Sequence, residues 1–275
     1  MDTTEVDLLT KIHKVTLYIL LAFDKVCREN DLTYFLDSGS ALGAVRHGGF
    51  IPWDDDIDVG MPRKDYERFL QIGQEKLPKE FFIQTRDTDP TYRRNAAKLR
   101  LKGTIFQEFD ILPYSENGFY IDIFPYDIVP RNKFVARIFV RTLCFLNRVN
   151  GTWGSFRKSR TWTLRAFQKI IKLMPNAPMM WLDKKCIRLC RKFENHNSGY
   201  ISPFFWGMSY HKSYIFETEK MFPVKDILFE GHEVKIVNAP DYYLSLTYGN
   251  YMQLPPEEKR KPKHLKGIIN FGKYA

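Results

Sequence analysis

Residues 49 to 60 read GFIPWDDDIDVG and place four carboxylates, Asp54, Asp55, Asp56 and Asp58, within five positions of a chain of formal net charge +10. Neighbouring acids repel one another, and acids are poor strand formers. Such a density requires a positive partner: a metal ion, an arginine or water. In Asp56-Ile57-Asp58 the spacing suits a strand, where positions i and i+2 share a face. Two carboxylates then converge while Ile57 and Val59 turn to the core. Mg2+ or Mn2+ fits such a pair, since a hard divalent cation takes few protein carboxylates and completes its shell with water and substrate phosphate. Asp122, between Ile121 and Ile123 in GFYIDIFPYD, is the third ligand this pattern suggests, because an acid inside an apolar strand is costly unless paired or metal-bound. Asp110 and Asp127 are weaker candidates. Asp55 is expected to point away from Asp54 and Asp56 if the run is extended.

A phosphate-binding feature lies upstream. Ser38-Gly39-Ser40 is expected as a turn joining a strand, Tyr34 to Asp37, to a short helix, Ser40 to Arg46. Glycine permits close backbone approach, and a helix N-terminus offers N–H groups to an anion. Strand, Gly-Ser, helix and then a strand bearing Asp-x-Asp is the order of a nucleotidyltransferase-type site.

The elements that must position these groups can be traced along the chain. Residues 4 to 30 carry a helical apolar period through Val6, Leu9, Ile12, Thr16 and Leu20. Gly48, Gly49 and Pro52 make 47 to 55 a loop. Ile57 to Met61 is expected as a strand, and Pro62 to about Leu77 as a helix. Strands follow at 81–85, 96–101, 104–109 and 118–124, a hairpin at 224–237 about Glu230-Gly231, and a short helix at 241–248 ended by Gly249. The tail from 254 to 263 is expected to be extended. The fold class is α/β (α+β): one domain over 1–275, a mixed sheet flanked by helices.

Charge divides the chain unevenly. From Arg131 to Lys192 there are 16 Lys and Arg against one acid, Asp183, whereas the remainder holds 26 basic and 31 acidic residues. This stretch reads as a basic helical insertion over 131–195, with helices at 131–149, 161–173 and 177–195 separated by GTWGS and two prolines. A membrane surface suits RIFVRTLCFL and RTWTLRAFQKIIKLM better than nucleic acid does, since basic helices bearing Phe, Trp, Ile and Leu lie on anionic leaflets. The spacing shows no nucleic-acid recognition module, and a plain charged surface or an oligomer contact stays open. The longest apolar run, Val15 to Phe23, is too short to span a bilayer, and the acidic start lacks a signal peptide's basic region. A cytoplasmic protein is expected, working at the inner face of the membrane. The four cysteines have no zinc spacing and read as reduced thiols.

DSGSALGAVRHGGFIPWDDDIDVGMPRKDYERF strongly resembles the signature of the LicD family, the bacterial phosphocholine transferases related to fukutin-type proteins. AAKLRLKGTIF, GFYIDIFPYD and FEGHEVKIVNAPDYYLSLTYGNYMQLPP resemble later family blocks, in the family's order. The resemblance covers most of residues 30–264 outside the basic stretch. It implies a nucleotidyltransferase-like fold and metal-dependent transfer of a phospho-alcohol, typically phosphocholine, from a CDP-linked donor to a sugar hydroxyl of a cell-surface glycan. Such an acceptor would be carried on lipid, as a precursor of teichoic acid or lipopolysaccharide. Carried over to this sequence, Gly39 and Ser40 would hold donor phosphate, and Asp56, Asp58 and Asp122 the metal. Arg46, Trp53, Asp54 and Lys98 would shape or charge the pocket, and His264 sits where the family tail often has a histidine. Asn250 departs from the acid often found after Tyr-Gly. The same site could instead transfer a nucleoside monophosphate, or belong to a catalytically silent binding protein of glycan assembly. Taken on sequence alone, Arg46 could pair with a local acid, Lys98 with Arg100 could be a solvated strand face, and Trp53 could be core packing.

Overall fold

The computed structural model describes residues 3–89, 92, 96–107, 116–154, 165–166, 169–170, 173, 176–193, 198–203, 214–262, 265 and 267–274. Helix α1 (Thr3–Glu29) opens the chain. Its buried positions, Ile12, Val15, Thr16, Ile19, Leu20, Phe23, Val26 and Cys27, recur at three- and four-residue intervals and so form one face. That face packs on a mixed sheet whose central order is β1 (Phe35–Leu36), β2 (Asp58–Pro62), β6 (Tyr120–Ile128), β4 (Ala97–Leu101) and β3 (Phe81–Gln84). Strand β6 runs parallel to β2 and antiparallel to β4. Its far end pairs with β7 (Tyr200–Ser202), which pairs with β8 (Phe216–Glu217).

The sheet is buried on both faces at its centre. Val59, Met61, Ile121, Ile123, Leu99 and Leu101 join the core with Phe23 and Phe69, the latter on helix α3 (Arg63–Lys76). The alternate positions carry the polar chemistry. Asp58 is the register partner of Asp122, Asp122 of Lys98, and Lys98 of Gln84, so four polar residues form one row across β2, β6, β4 and β3. Helix α2 (Ser38–His47) links β1 to the loop before β2. A short strand, β5 (Ile105–Phe106), pairs with β11 (Ile269–Asn270) near the end of the chain. The hairpin is formed by β9 (Lys225–Phe229) and β10 (His232–Ile236), turning at Glu230-Gly231 as its sequence predicts.

A second, smaller core lies beyond β6. Helix α4 (Lys133–Gly154) buries Ala136, Val140 and Leu143 against Cys186 of α5 (Asn176–Arg191) and Val129. The GTWGS run ends α4 at Gly154 instead of breaking it at 149: a glycine inside a helix costs only about 1 kcal/mol, so the helix continues into the run before stopping. Most of the 161–173 segment lies outside the described residues. Two short helices complete the element list, α6 (Thr218–Met221) and α7 (Pro240–Tyr248), the latter ended by Gly249. The tail is less extended than its prolines suggest, with a 3-10 turn at Glu257–Lys259. Cys27 and Cys186 are free thiols. Among the described residues no helix is long and apolar enough to cross a membrane.

Candidate active site

Helix α2 begins two residues earlier than its sequence suggests, and the reason is Asp37. This buried N-cap accepts from the Ser38 N–H at 2.8 Å, and the hydroxyls of Tyr126, at 2.9 Å, and Tyr243 donate to the same oxygen. Ser38-Gly39-Ser40 is therefore the first turn of the helix and not a turn before it, with Ser38 at φ +46. Residues held in the left-handed region without being glycine carry strain of about 1–3 kcal/mol and cluster at functional sites. Ser40 accepts the Asp58 N–H at 2.9 Å, which fixes the start of β2 against α2. A Cβ at Gly39 would lie 2.5 Å from an Asp54 carboxylate oxygen. Glycine is what admits that carboxylate to the helix N-terminus, where the N–H groups favour negative charge.

The acid run itself departs from expectation. Asp56 lies in the loop, since β2 starts at Asp58. Asp55 does not splay away: Asp54, Asp55 and Asp56 bring carboxylate oxygens within 4.8 Å of one another, the one such group of three found among the described residues. Asp54 and Asp55 are buried, so a solvated loop is excluded. Asp58 and Asp122 come together by strand register. Burial, reinforced by Asp56, Asp122, Asp37 and Asp54, pushes the Asp58 carboxyl well above the usual carboxylate range. Asp58 thus meets the charges of Asp37, Asp54, Asp56 and Asp122 where β2 and β6 approach the N-terminus of α2.

Among the described residues, Lys98 brings positive charge to Asp122. Lys98 is fully buried, its Nζ 3.1 Å from Asp122 Oδ2 and 3.1 Å from the centroid of the Tyr120 ring. Arg100 is buried too and donates to Gln84 at 2.6 Å and to the Gly118 carbonyl at 2.6 Å. Neither belongs to a solvated strand face. Asp127 is accounted for elsewhere, in a buried two-point pair with Arg63 at 2.6 and 2.7 Å. Asp110 and His264 lie outside the described residues.

Arg46 and Trp53 form the rim. Arg46 is half-buried and donates to the Tyr251 carbonyl at 2.7 Å, which is a backbone anchor and not a pairing with a local acid. Trp53 is half-buried, edge-on to His47 at 6.3 Å, with the Arg260 guanidinium 5.7 Å from its ring centroid.

Four residues that sequence reasoning did not assign to the site take part in it. His13 donates from Nε2 to the Asp54 carbonyl at 2.7 Å and stacks on Phe50 at 4.0 Å. A carbonyl can only accept, so the proton is on Nε2. Glu230, at the hairpin tip, accepts the Phe50 N–H at 3.0 Å, while its own N–H donates to Gly48 at 2.9 Å. Asp37 organises the start of α2. Tyr248, at the end of α7, is 42% exposed overall, but its hydroxyl is pushed up by local burial and then by the charges of Asp58, Asp37 and Asp54. Asp37, inside the DSGS run, and Glu230 and Tyr248, inside the FEGHEVKIVNAPDYYLSLTYGNYMQLPP block, stood in stretches the sequence marked without being assigned a role. His13, Glu230 and Tyr248 arrive through contacts distant along the chain.

Residues 31–147 match the family model described as the LicD/FKTN/FKRP nucleotidyltransferase domain. The chain is 29% identical over 260 residues to the lipopolysaccharide cholinephosphotransferase LicD of Haemophilus influenzae, covering 92% of this chain and 94% of that one. It is 56% identical over 39 residues to the human ribitol 5-phosphate transferase FKRP, which is 14% of this chain and 8% of that one. A protein of Rickettsia typhi is 50% identical over 44 residues, 16% of this chain and 14% of that one.

Proposed function

We propose, from the premise that this chain belongs to the LicD family, that it is a metal-dependent phosphotransferase moving a phospho-alcohol, phosphocholine above others, from a CDP-linked donor to a sugar hydroxyl of a lipid-linked surface glycan precursor. The observation that carries the reading is the row Asp58, Asp122, Lys98 across three strands, with Asp54 and Asp56 converging on it. Ionised carboxylates at this density are costly without a cation. Their oxygens are the donor type that Mg2+ or Mn2+ prefers, so the residues fit such an ion. Asp56, Asp58 and Asp122 would hold it. When bound, it supplies charge neutralisation for the donor diphosphate as CMP departs.

The chain's own groups have separate tasks. The start of α2, with Gly39 and Ser40, presents helix N–H groups toward donor phosphate. Lys98 balances the charge of Asp122 and orients that carboxylate. Trp53, with Arg260 near one side of its ring, offers an aromatic face to a base or a cationic head group, and Arg46 and Asp54 line the donor side. Chemically, the acceptor oxygen bonds to the phosphorus bearing the alcohol. The bond from that phosphorus to the oxygen bridging to CMP breaks, CMP keeps the electron pair, and a carboxylate of the cluster takes the hydroxyl proton.

The test is release of CMP by purified protein with Mg2+, given CDP-choline, CDP-ribitol, CDP-glycerol or CDP-ethanolamine, with and without a glycan-bearing membrane extract. Acceptor-dependent release with CDP-choline is expected, with choline label on the glycan. Release from CDP-ribitol alone would shift the head group toward that of the FKRP-type relatives. Nucleotide label on the glycan would replace the reading with nucleotidyl transfer. Nucleotide binding with no release from any donor would indicate a silent binding protein.

A further inference from the structure

Helix α4 is apolar on two opposite sides. Its inner side, Ala136, Val140 and Leu143, fills the small core. At 100° per residue, Phe134, Ile138, Arg141 and Phe145 fall within a narrow sector on the other side. Phe134 is 71% exposed, Ile138 52% and Phe145 49%. Arg137 flanks them, also exposed. Helix α5 repeats the arrangement: Trp181, 61% exposed, shares its outward side with Lys185, Arg188 and Leu189, and Lys185 sits 5.3 Å from the Trp181 ring centroid. A soluble surface scatters apolar side chains singly among charges of both signs. Here large apolar side chains line up with basic ones, in a segment holding a single acid.

We infer that the outward sides of α4 and α5 dock on an anionic phospholipid leaflet, with Phe134, Ile138, Phe145 and Trp181 entering the headgroup boundary and Arg137, Arg141, Lys185 and Arg188 meeting lipid phosphate. Charge complementarity selects this occupant. A second copy of the chain would bring the same positive field against itself, whereas an anionic leaflet offers opposite charge and an apolar layer beneath it. Tryptophan suits the boundary because one part of its ring system is apolar and its N–H stays wet. The inference does not depend on the transfer reaction, since binding can be measured without a donor.

The experiment is co-sedimentation of the full chain with vesicles of phosphatidylcholine alone, or of phosphatidylcholine with 30% phosphatidylglycerol. Binding to the anionic vesicles only is expected, weakening as salt rises from 50 to 500 mM. Each basic side chain near such a surface contributes roughly fivefold, so Arg137→Gln/Arg141→Gln should lower partitioning about 25-fold. Phe134→Ser/Ile138→Ser should lower it about tenfold or more. All four positions are exposed, so circular dichroism should show unchanged folding, and an Asp58→Asn variant should bind vesicles as wild type does. Equal recovery with neutral and anionic vesicles, recovery with neither, or variants indistinguishable from wild type would overturn the inference. So would dimerisation lost in the Phe134→Ser/Ile138→Ser variant, or capture of a DNA or RNA oligonucleotide through Arg137 and Arg141, in the absence of vesicle binding.

Discussion

Strand β6 carries two buried acids five residues apart that were treated differently by the fold. At one end Asp127 meets Arg63 in a two-point pair sealed from solvent, with N–O distances of 2.6 and 2.7 Å. Its charge is answered inside the protein. At the other end Asp122 lies beside Asp58, which itself feels the charges of Asp56, Asp37 and Asp54, and the Lys98 ammonium stands on the far side of Asp122. Among the described residues, Lys98 is the ammonium that pairs with Asp122. The first end is built for stability, and the second is the end at which we propose a cation binds. The difference is what separates a structural acid from a functional one on a single strand.

Asp58→Asn tests the functional end most severely. Turnover should fall at least about 10³-fold, beyond the 10–100-fold that a supporting residue around a metal ligand is worth. In chelator the variant should be no less stable than wild type, because the folded state holds that carboxyl well above its ordinary range, chiefly by burial, and its ionised form therefore opposes folding at neutral pH. Added Mg2+ at a hundred times its dissociation constant should stabilise wild type by about 2.7 kcal/mol and the variant far less. A melt showing equal Mg2+ stabilisation would remove Asp58 from the metal assignment.

The opposite pattern is expected at the other end. Asp127→Asn deprives a buried guanidinium of its carboxylate and should cost about 3–5 kcal/mol, read as a lower melting midpoint, with turnover of the remaining folded protein little changed below that midpoint. Loss of activity without loss of stability would erase the distinction between the two ends. Lys98→Met falls between them. The ammonium supports Asp122 from 3.1 Å, so turnover should drop about 10- to 100-fold, while removing a positive charge beside the cluster should lower the Mg2+ concentration needed for half-maximal activity. A variant needing more Mg2+ would place Lys98 on the substrate and not on Asp122.

The sequence made Asp58 and Asp122 legible because a strand pattern tells which residues face the apolar side, and an acid among Ile121 and Ile123 stands out against it. Mixed helix–sheet architecture, the hairpin at Glu230-Gly231 and the short helix before Gly249 were legible for similar local reasons. Lateral register was not: nothing in AAKLRL says that Lys98 will lie opposite Asp122 rather than one residue off. The grouping of Asp54, Asp55 and Asp56 was misread because mutual repulsion is the only local term. The opposing terms come from His13 on α1, Gly39 on α2 and Glu230 on the hairpin, all remote in sequence from the run. Asp37 was passed over since its partners Tyr126 and Tyr243 lie 89 and 206 residues away.

Glu230 gives the mildest and most local way to sharpen the contrast, since it touches the functional end without contributing charge to the cluster. It sits at φ +51 in the hairpin turn, where a non-glycine residue is held at some cost. One carboxylate oxygen accepts the Phe50 N–H at 3.0 Å, and the same residue's N–H reaches the Gly48 carbonyl at 2.9 Å. Gly49 makes this contact possible, as a Cβ there would come within 2.0 Å of that oxygen. The hairpin tip thereby clamps the loop that carries the acids. Glu230→Gln keeps an acceptor oxygen of the same reach and should change stability by less than about 1 kcal/mol, whereas Glu230→Ala forfeits a charged hydrogen bond worth roughly 1.5–3 kcal/mol. If the clamp positions the acids, Glu230→Ala should also loosen Mg2+ binding severalfold, and Glu230→Gln should restore it. Equal Mg2+ affinity in both variants, with stability lost only in the alanine form, would make Glu230 a fastening of the hairpin alone.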